Sequence, residues 1–168
     1  MNITNASVVA EKIKEKFSQT KEPNLYNFDE IYEFASNLEL MLPVDEPENI
    51  IVIDGCKYLK PVYAKTYFYK LALLFYRELC KCVGEEKSIK WDDSLTIGVL
   101  GYAANSFSRA IVMPEKYFLN LPDYIPNAIT AKNVTTCGTI YGNEYAEYFG
   151  VDINTVKLRA NDFDLSVS

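Results

Sequence analysis

Near the start of the chain, apolar residues recur at Ala6, Val9, Ala10, Ile13 and Phe17, with lysines and glutamates between them. That spacing predicts an amphipathic helix with one buried stripe. Glu22-Pro23-Asn24 breaks the pattern. A second helix is signalled at Asn27-Phe28-Asp29-Glu30, where Asn27 supplies a cap and Glu30 follows at capping-box distance. Its stripe is Phe28, Ile31, Ala35 and Leu38.

The period then changes. Leu40 to Val44 is a short apolar run, Asp45 to Asn49 a polar turn, and Ile50 to Ile53 is β-branched. Asp54-Gly55 suits a type I′ turn, so Cys56 to Leu59 is expected to pair back on Ile50 to Ile53, with Pro61 closing this small antiparallel sheet. From about Val62 to Val83 the chain is apolar nearly all round, which predicts a long, central, buried helix ended by Gly84. Another helix follows over about Ser94 to Val112 and breaks at Met113-Pro114. Leu121 to Pro126 is a loop, and Glu144–Phe149 and Asn154–Phe163 form a short terminal helix pair. The expected fold is α+β: a single, mainly helical domain over 1–168, with a small antiparallel sheet packed on a long central helix.

Composition narrows the chemistry. At 168 residues the chain is long enough for a proper hydrophobic core, and its apolar content of 49% is ordinary for a globular protein. A net charge of −6 argues against nonspecific attraction to nucleic acid or anionic lipid. The first residues carry no basic head or apolar run, and no apolar stretch is long enough for a membrane span, so a cytoplasmic location is expected. Cys56, Cys80, Cys82 and Cys137 are then expected as reduced thiols. There is no histidine, so imidazole ligands and bases are excluded.

Two segments carry a family resemblance. Ala104-Asn105-Ser106-Phe107-Ser108 is followed by Ile111-Val112-Met113-Pro114, and Tyr145-Ala146-Glu147-Tyr148-Phe149-Gly150-Val151 by Val156 and Arg159. In these motifs and in its element order the chain resembles the ImmA/IrrE family of gluzincin-like metallopeptidases. The resemblance implies that family's fold and a zinc site on the long helix, built from His-Glu-x-x-His. By position that motif falls on Lys70 to Leu74, and a third, glutamate ligand on Gly101. Lys70, Leu71, Leu74 and Gly101 thus stand where ligands and base would be, so the resemblance implies a degenerate, metal-free pseudo-peptidase. Leu71, Leu74 and Gly101 are expected to fill the former metal site as core, and Lys70 to reach the surface along its stem.

Other constellations point the same way. Cys80 and Cys82 lie two apart on a helix and face different directions, so they do not share an ion. Without histidine only a Ser–Lys pair remains for nucleophilic catalysis, and no pair is singled out. Ala146, Gly150 and Val156 occupy the small, turn and apolar positions of a helix-turn-helix, which would present Asn154, Thr155 and Lys157 to a groove. Residues 141–163, however, hold Lys157 and Arg159 against Glu144, Glu147, Asp152 and Asp162, a poor balance for a phosphate-binding face.

The expected function is therefore not catalysis. The chain reads as a regulatory module without cofactor or metal that binds a protein partner (a repressor, toxin or defence component of a phage or other mobile element). The alternative is a DNA-linked regulator using the terminal helix pair. Binding is expected at the hairpin edge and its neighbouring tyrosines, through Val52, Tyr63 and Tyr67, where an extended peptide can add as a strand.

Overall fold

The stripe Ala6, Val9, Ala10 and Ile13 does form the buried face of a helix, α1 (Ile3–Phe17), each residue fully buried. The computed structural model describes residues 3–17, 26–27, 50–59, 61–85, 97–122 and 138–168. The second helix expected from Phe28 to Leu38, the run after it and most of the Leu121–Pro126 loop lie outside the described residues, as does Cys137. Asn27 itself belongs to a two-residue strand, β1 (Tyr26–Asn27), that the sequence pattern does not announce.

The hairpin forms in the expected register. β2 (Ile50–Ile53) and β3 (Cys56–Leu59) pair antiparallel, with Ile50 opposite Leu59 and Ile53 opposite Cys56. Asp54 (φ 51) and Gly55 (φ 80) supply the two positive φ angles that a type I′ turn needs. β1 adds on the other side of β3, giving the order β1-β3-β2. Every side chain from Val52 to Lys57 is exposed, so this end of the hairpin stands in solvent instead of lying on a helix.

Proline at the first helical position opens α2 (Pro61–Cys82), the longest helix described. Gly84 (φ 77) ends it: its N–H donates to Lys81 O at 3.1 Å, and Glu85 N–H to Cys80 O at 2.9 Å, satisfying carbonyls of the last turn. Its backbone kinks at Phe75 (φ −128, ψ 18). One face, Ala64, Phe68, Leu71, Ala72, Tyr76, Leu79 and Cys80, is buried, while Thr66, Lys70, Leu74, Arg77 and Lys81 are exposed.

The expectation that this longest helix is the central one is therefore corrected. The central helix is α3 (Ile97–Val112), which packs against both α1 and α2 and is continuously buried from Ser106 to Val112. Ala103, Ala104 and Ala110 let two neighbours approach it at once. Phe107 meets Tyr76 of α2 edge-to-face at 6.3 Å.

Past Pro114 the chain makes a single turn, α4 (Glu115–Phe118), then β4 (Thr139–Ile140), α5 (Gly142–Phe149), α6 (Ile153–Asn161) and β5 (Ser166–Val167). Phe118 gathers this end, with ring centroids 4.9 Å from Tyr145, 6.1 Å from Phe149 and 5.5 Å from Phe163. β5 returns parallel to β4, and the Ser168 carbonyl accepts the Gly142 N–H at 3.1 Å. A Cβ on Gly142 would sit 2.6 Å from Val167 Cγ1, so a side chain there would have to displace Val167. The result is a mainly helical α+β architecture, with six helices and a small antiparallel sheet among the described residues.

Candidate functional site

The four positions aligned with a zinc site do not converge. Leu71 is 1% exposed and faces the core, but Leu74, three residues on, is 66% exposed. The expectation that Leu74 fills a former metal site is thus corrected: three residues turn a helix by about 300°, and here that carries the side chain off the buried face. Lys70 is exposed, as its long stem allows. Gly101 is half-buried on α3, and a Cβ there would lie 3.8 Å from the Tyr69 hydroxyl, so Tyr69 is what α2 sets against it. Among the described residues no three His, Cys, Asp or Glu side chains are grouped to hold a metal ion.

The binding residues expected at the hairpin also separate. Val52 is 65% exposed and Ile53 42%. Tyr67 is half-buried, packed against the core with its ring edge-on to Phe68 at 5.7 Å. Tyr63 lies in the first turn of α2, and its side chain is outside the described set. Cys56 is exposed near the hairpin tip, Cys80 is buried and Cys82 half-buried, all as free thiols.

In the terminal pair, Asp152 caps α6, accepting the Thr155 N–H at 2.9 Å and the Thr155 hydroxyl at 2.6 Å. Lys65 of α2 reaches the same carboxylate at 3.1 Å and Thr155 Oγ1 at 2.7 Å. Partial desolvation opposes ionisation of Asp152, but these hydrogen bonds and the lysine outweigh it and hold the carboxyl down to about 2. Thr155 is therefore buried rather than groove-facing, which corrects one of the three expected groove residues. Asn154 and Lys157 are exposed.

The largest departure is Arg159, which is 2% exposed. Its Nε donates to the Met113 carbonyl at 3.0 Å, one terminal nitrogen to Asp162 at 3.2 Å and the other to Glu11 at 3.3 Å. The guanidinium also lies 4.6 Å from the Phe163 ring centroid. Glu11 in turn accepts the Glu115 N–H at 2.8 Å, capping α4 from α1. Burial raises the Glu11 pKa, although the Glu115 N–H and Arg159 pull it back. Asp162 pairs as well with Arg109 of α3 at 3.2 Å. One cation thus ties α1, the α3–α4 turn and α6 together, each of its three nitrogens donating to protein.

This clamp forms one wall of a recess of about 650 Å³, bordered also by Ser7, Lys12, Tyr102 and Asn161. Within the recess the Arg159 guanidinium is paired with Glu11 and Asp162, while Lys12 reaches out of it to Glu85. A sequence signal for the clamp exists: Arg159 falls in line with Thr155, Val156 and Ala160, the buried face of α6, and Asp162 follows one turn later. No helix among the described residues is long and apolar enough to cross a membrane. No protein-family model, curated protein or solved structure matches the chain.

Proposed function

We propose that the chain is a non-catalytic, metal-free protein-binding module, a degenerate relative of ImmA/IrrE peptidases, that takes an extended segment of a partner along β2. The observation that supports this reading is the exposure of Val52 at 65% on an outer strand of the sheet. Among the described residues, β2 has a neighbour on one side only, which leaves backbone donors and acceptors for an added strand. Val52 and Ile53 supply hydrocarbon beside that edge, suiting a partner segment with β-branched or aromatic residues.

The test is a pull-down from the native host with the wild type, Val52→Thr and Val52→Asp. A partner retained by Val52→Thr and lost by Val52→Asp, with unchanged thermal melts, is the expected result. A partner held equally by all three proteins rules the strand edge out.

A further inference from the structure

The recess beside the Arg159 clamp lies between α1, α3, α4 and α6 and measures about 650 Å³, a size usual for small-molecule sites. Its cations are already engaged. Each Arg159 nitrogen donates to protein, and Lys12 reaches out to Glu85. Asp162 is engaged on both oxygens, one by Arg109 and the other by Arg159.

The other two carboxylates on the wall keep open acceptors. Glu11 takes both of its hydrogen bonds, from the Glu115 N–H and from Arg159, on Oε1. Its Oε2 and the whole Glu115 carboxylate have no partner among the described residues. Burial is the first cause that raises the Glu11 pKa, and the charge of Glu115 adds to it, so the two carboxylates bear on each other. A positive group between them relieves that repulsion. Hydrocarbon stands beside the acids: Val8 of α1 and Tyr102 of α3 are both large apolar side chains left exposed, and both line this recess.

Charge complementarity selects the occupant. An anion meets two open carboxylates and cations that already have partners. A bare metal ion leaves the hydrocarbon unused, and among the described residues no three ligating side chains are grouped for one. An organic cation uses both halves of the lining, because an ammonium or guanidinium donates to carboxylates and also rests on an aromatic face.

We propose that the recess binds an organic cation, an alkylammonium or alkylguanidinium group, its charge held by Glu11 Oε2 and the Glu115 carboxylate and its carbon stem against Val8 and Tyr102. Free small amines carry such a group, and so does the lysine or arginine side chain of a peptide. The proposal uses no part of the hairpin edge and stands if that reading fails.

The experiment titrates the full chain with n-butylguanidinium and n-butylammonium, followed by backbone amide resonances, with butyrate and n-butanol as anionic and neutral controls of similar size. Saturable shifts at Val8, Tyr102 and Glu115 are expected with the cations and not with the controls. Glu115→Gln keeps the side-chain shape but removes one charge, and is expected to weaken cation binding about three- to fivefold. Tyr102→Leu keeps hydrocarbon but removes the ring face, and is expected to weaken it about threefold. Val52→Asp leaves it unchanged. A capped tripeptide with arginine or lysine at its centre separates the sources within the proposal: binding as tight as that of the free cation assigns the recess to a peptide side chain, and weaker binding assigns it to a free amine. Equal binding of n-butanol or butyrate overturns the proposal, as does cation binding that Glu115→Gln leaves unchanged. The absence of any saturable shift around the recess in the wild type overturns it as well.

Discussion

The Arg159 clamp, on one hand, and the exposed residues of the hairpin and of α2, on the other, invert the usual distribution of residue types. At the clamp a guanidinium is 2% exposed, while Val52 and Leu74 stand 65% and 66% exposed. The clamp is tolerable because its buried charge has Glu11, Asp162 and the Met113 carbonyl as partners, which offset the loss of water. On the exposed side, isolated hydrocarbon in water costs little, and among the described residues β2 has a neighbour on one side only. The comparison separates a region where charge serves stability from one where apolar residues are left over from packing. Recognition of a partner segment is therefore sought in the second.

The largest expected effect breaks the clamp. Arg159→Met leaves Glu11 and the Met113 carbonyl without their donor and Asp162 with Arg109 alone, and is expected to destabilise by about 3–5 kcal/mol. Adding Glu11→Gln to the same chain should recover part of that, since the amide oxygen still accepts the Glu115 N–H. Urea midpoints measure both. A loss below about 1 kcal/mol for Arg159→Met would show the clamp to be incidental.

Next come two leucines three positions apart. Leu71→Ala empties buried volume and should cost about 2–5 kcal/mol, whereas Leu74→Ala, on the exposed face, should stay within about 0.5 kcal/mol. Equal losses in a denaturant series would mean that Leu74 is buried against something after all.

The smallest effect concerns a second buried cation, Lys14. Lys14 is 5% exposed, and burial lowers its pKa from 10.5 to about 8, with Glu11 pulling the other way. Unfolded lysine keeps its proton to about pH 10.4, so between about pH 8 and 10 the unfolded chain binds more protons and stability rises with pH. Below about pH 8 both states are protonated and the penalty of burying the charge is fully present. Between about pH 7.5 and 9.5 the wild type should gain about 1–2 kcal/mol, while Lys14→Met shows no such rise. A flat wild-type profile across that range would contradict the burial of a charged lysine there.

Much of the fold follows from local rules that need no partner to operate. The stripe of α1, the Asp54-Gly55 turn with its register, the stops at Gly84 and Gly150, and the break at Met113-Pro114 all depend on neighbours a few residues away. Hydrophobic periodicity and turn chemistry act on that scale, so the sequence by itself determined these elements. It did not determine which helix lies at the centre. Length favours Pro61–Cys82, yet the small residues of Ile97–Val112 let two helices approach it, and closeness of approach is a property of pairs. The same holds at the sites. That Leu74 faces water, that Thr155 is buried against Lys65, and that Arg159 is enclosed by Glu11, 148 residues away, were decided only when the helices packed. Burial is set by what arrives from elsewhere in the chain, and a charged side chain can be enclosed only where distant segments bring its partners.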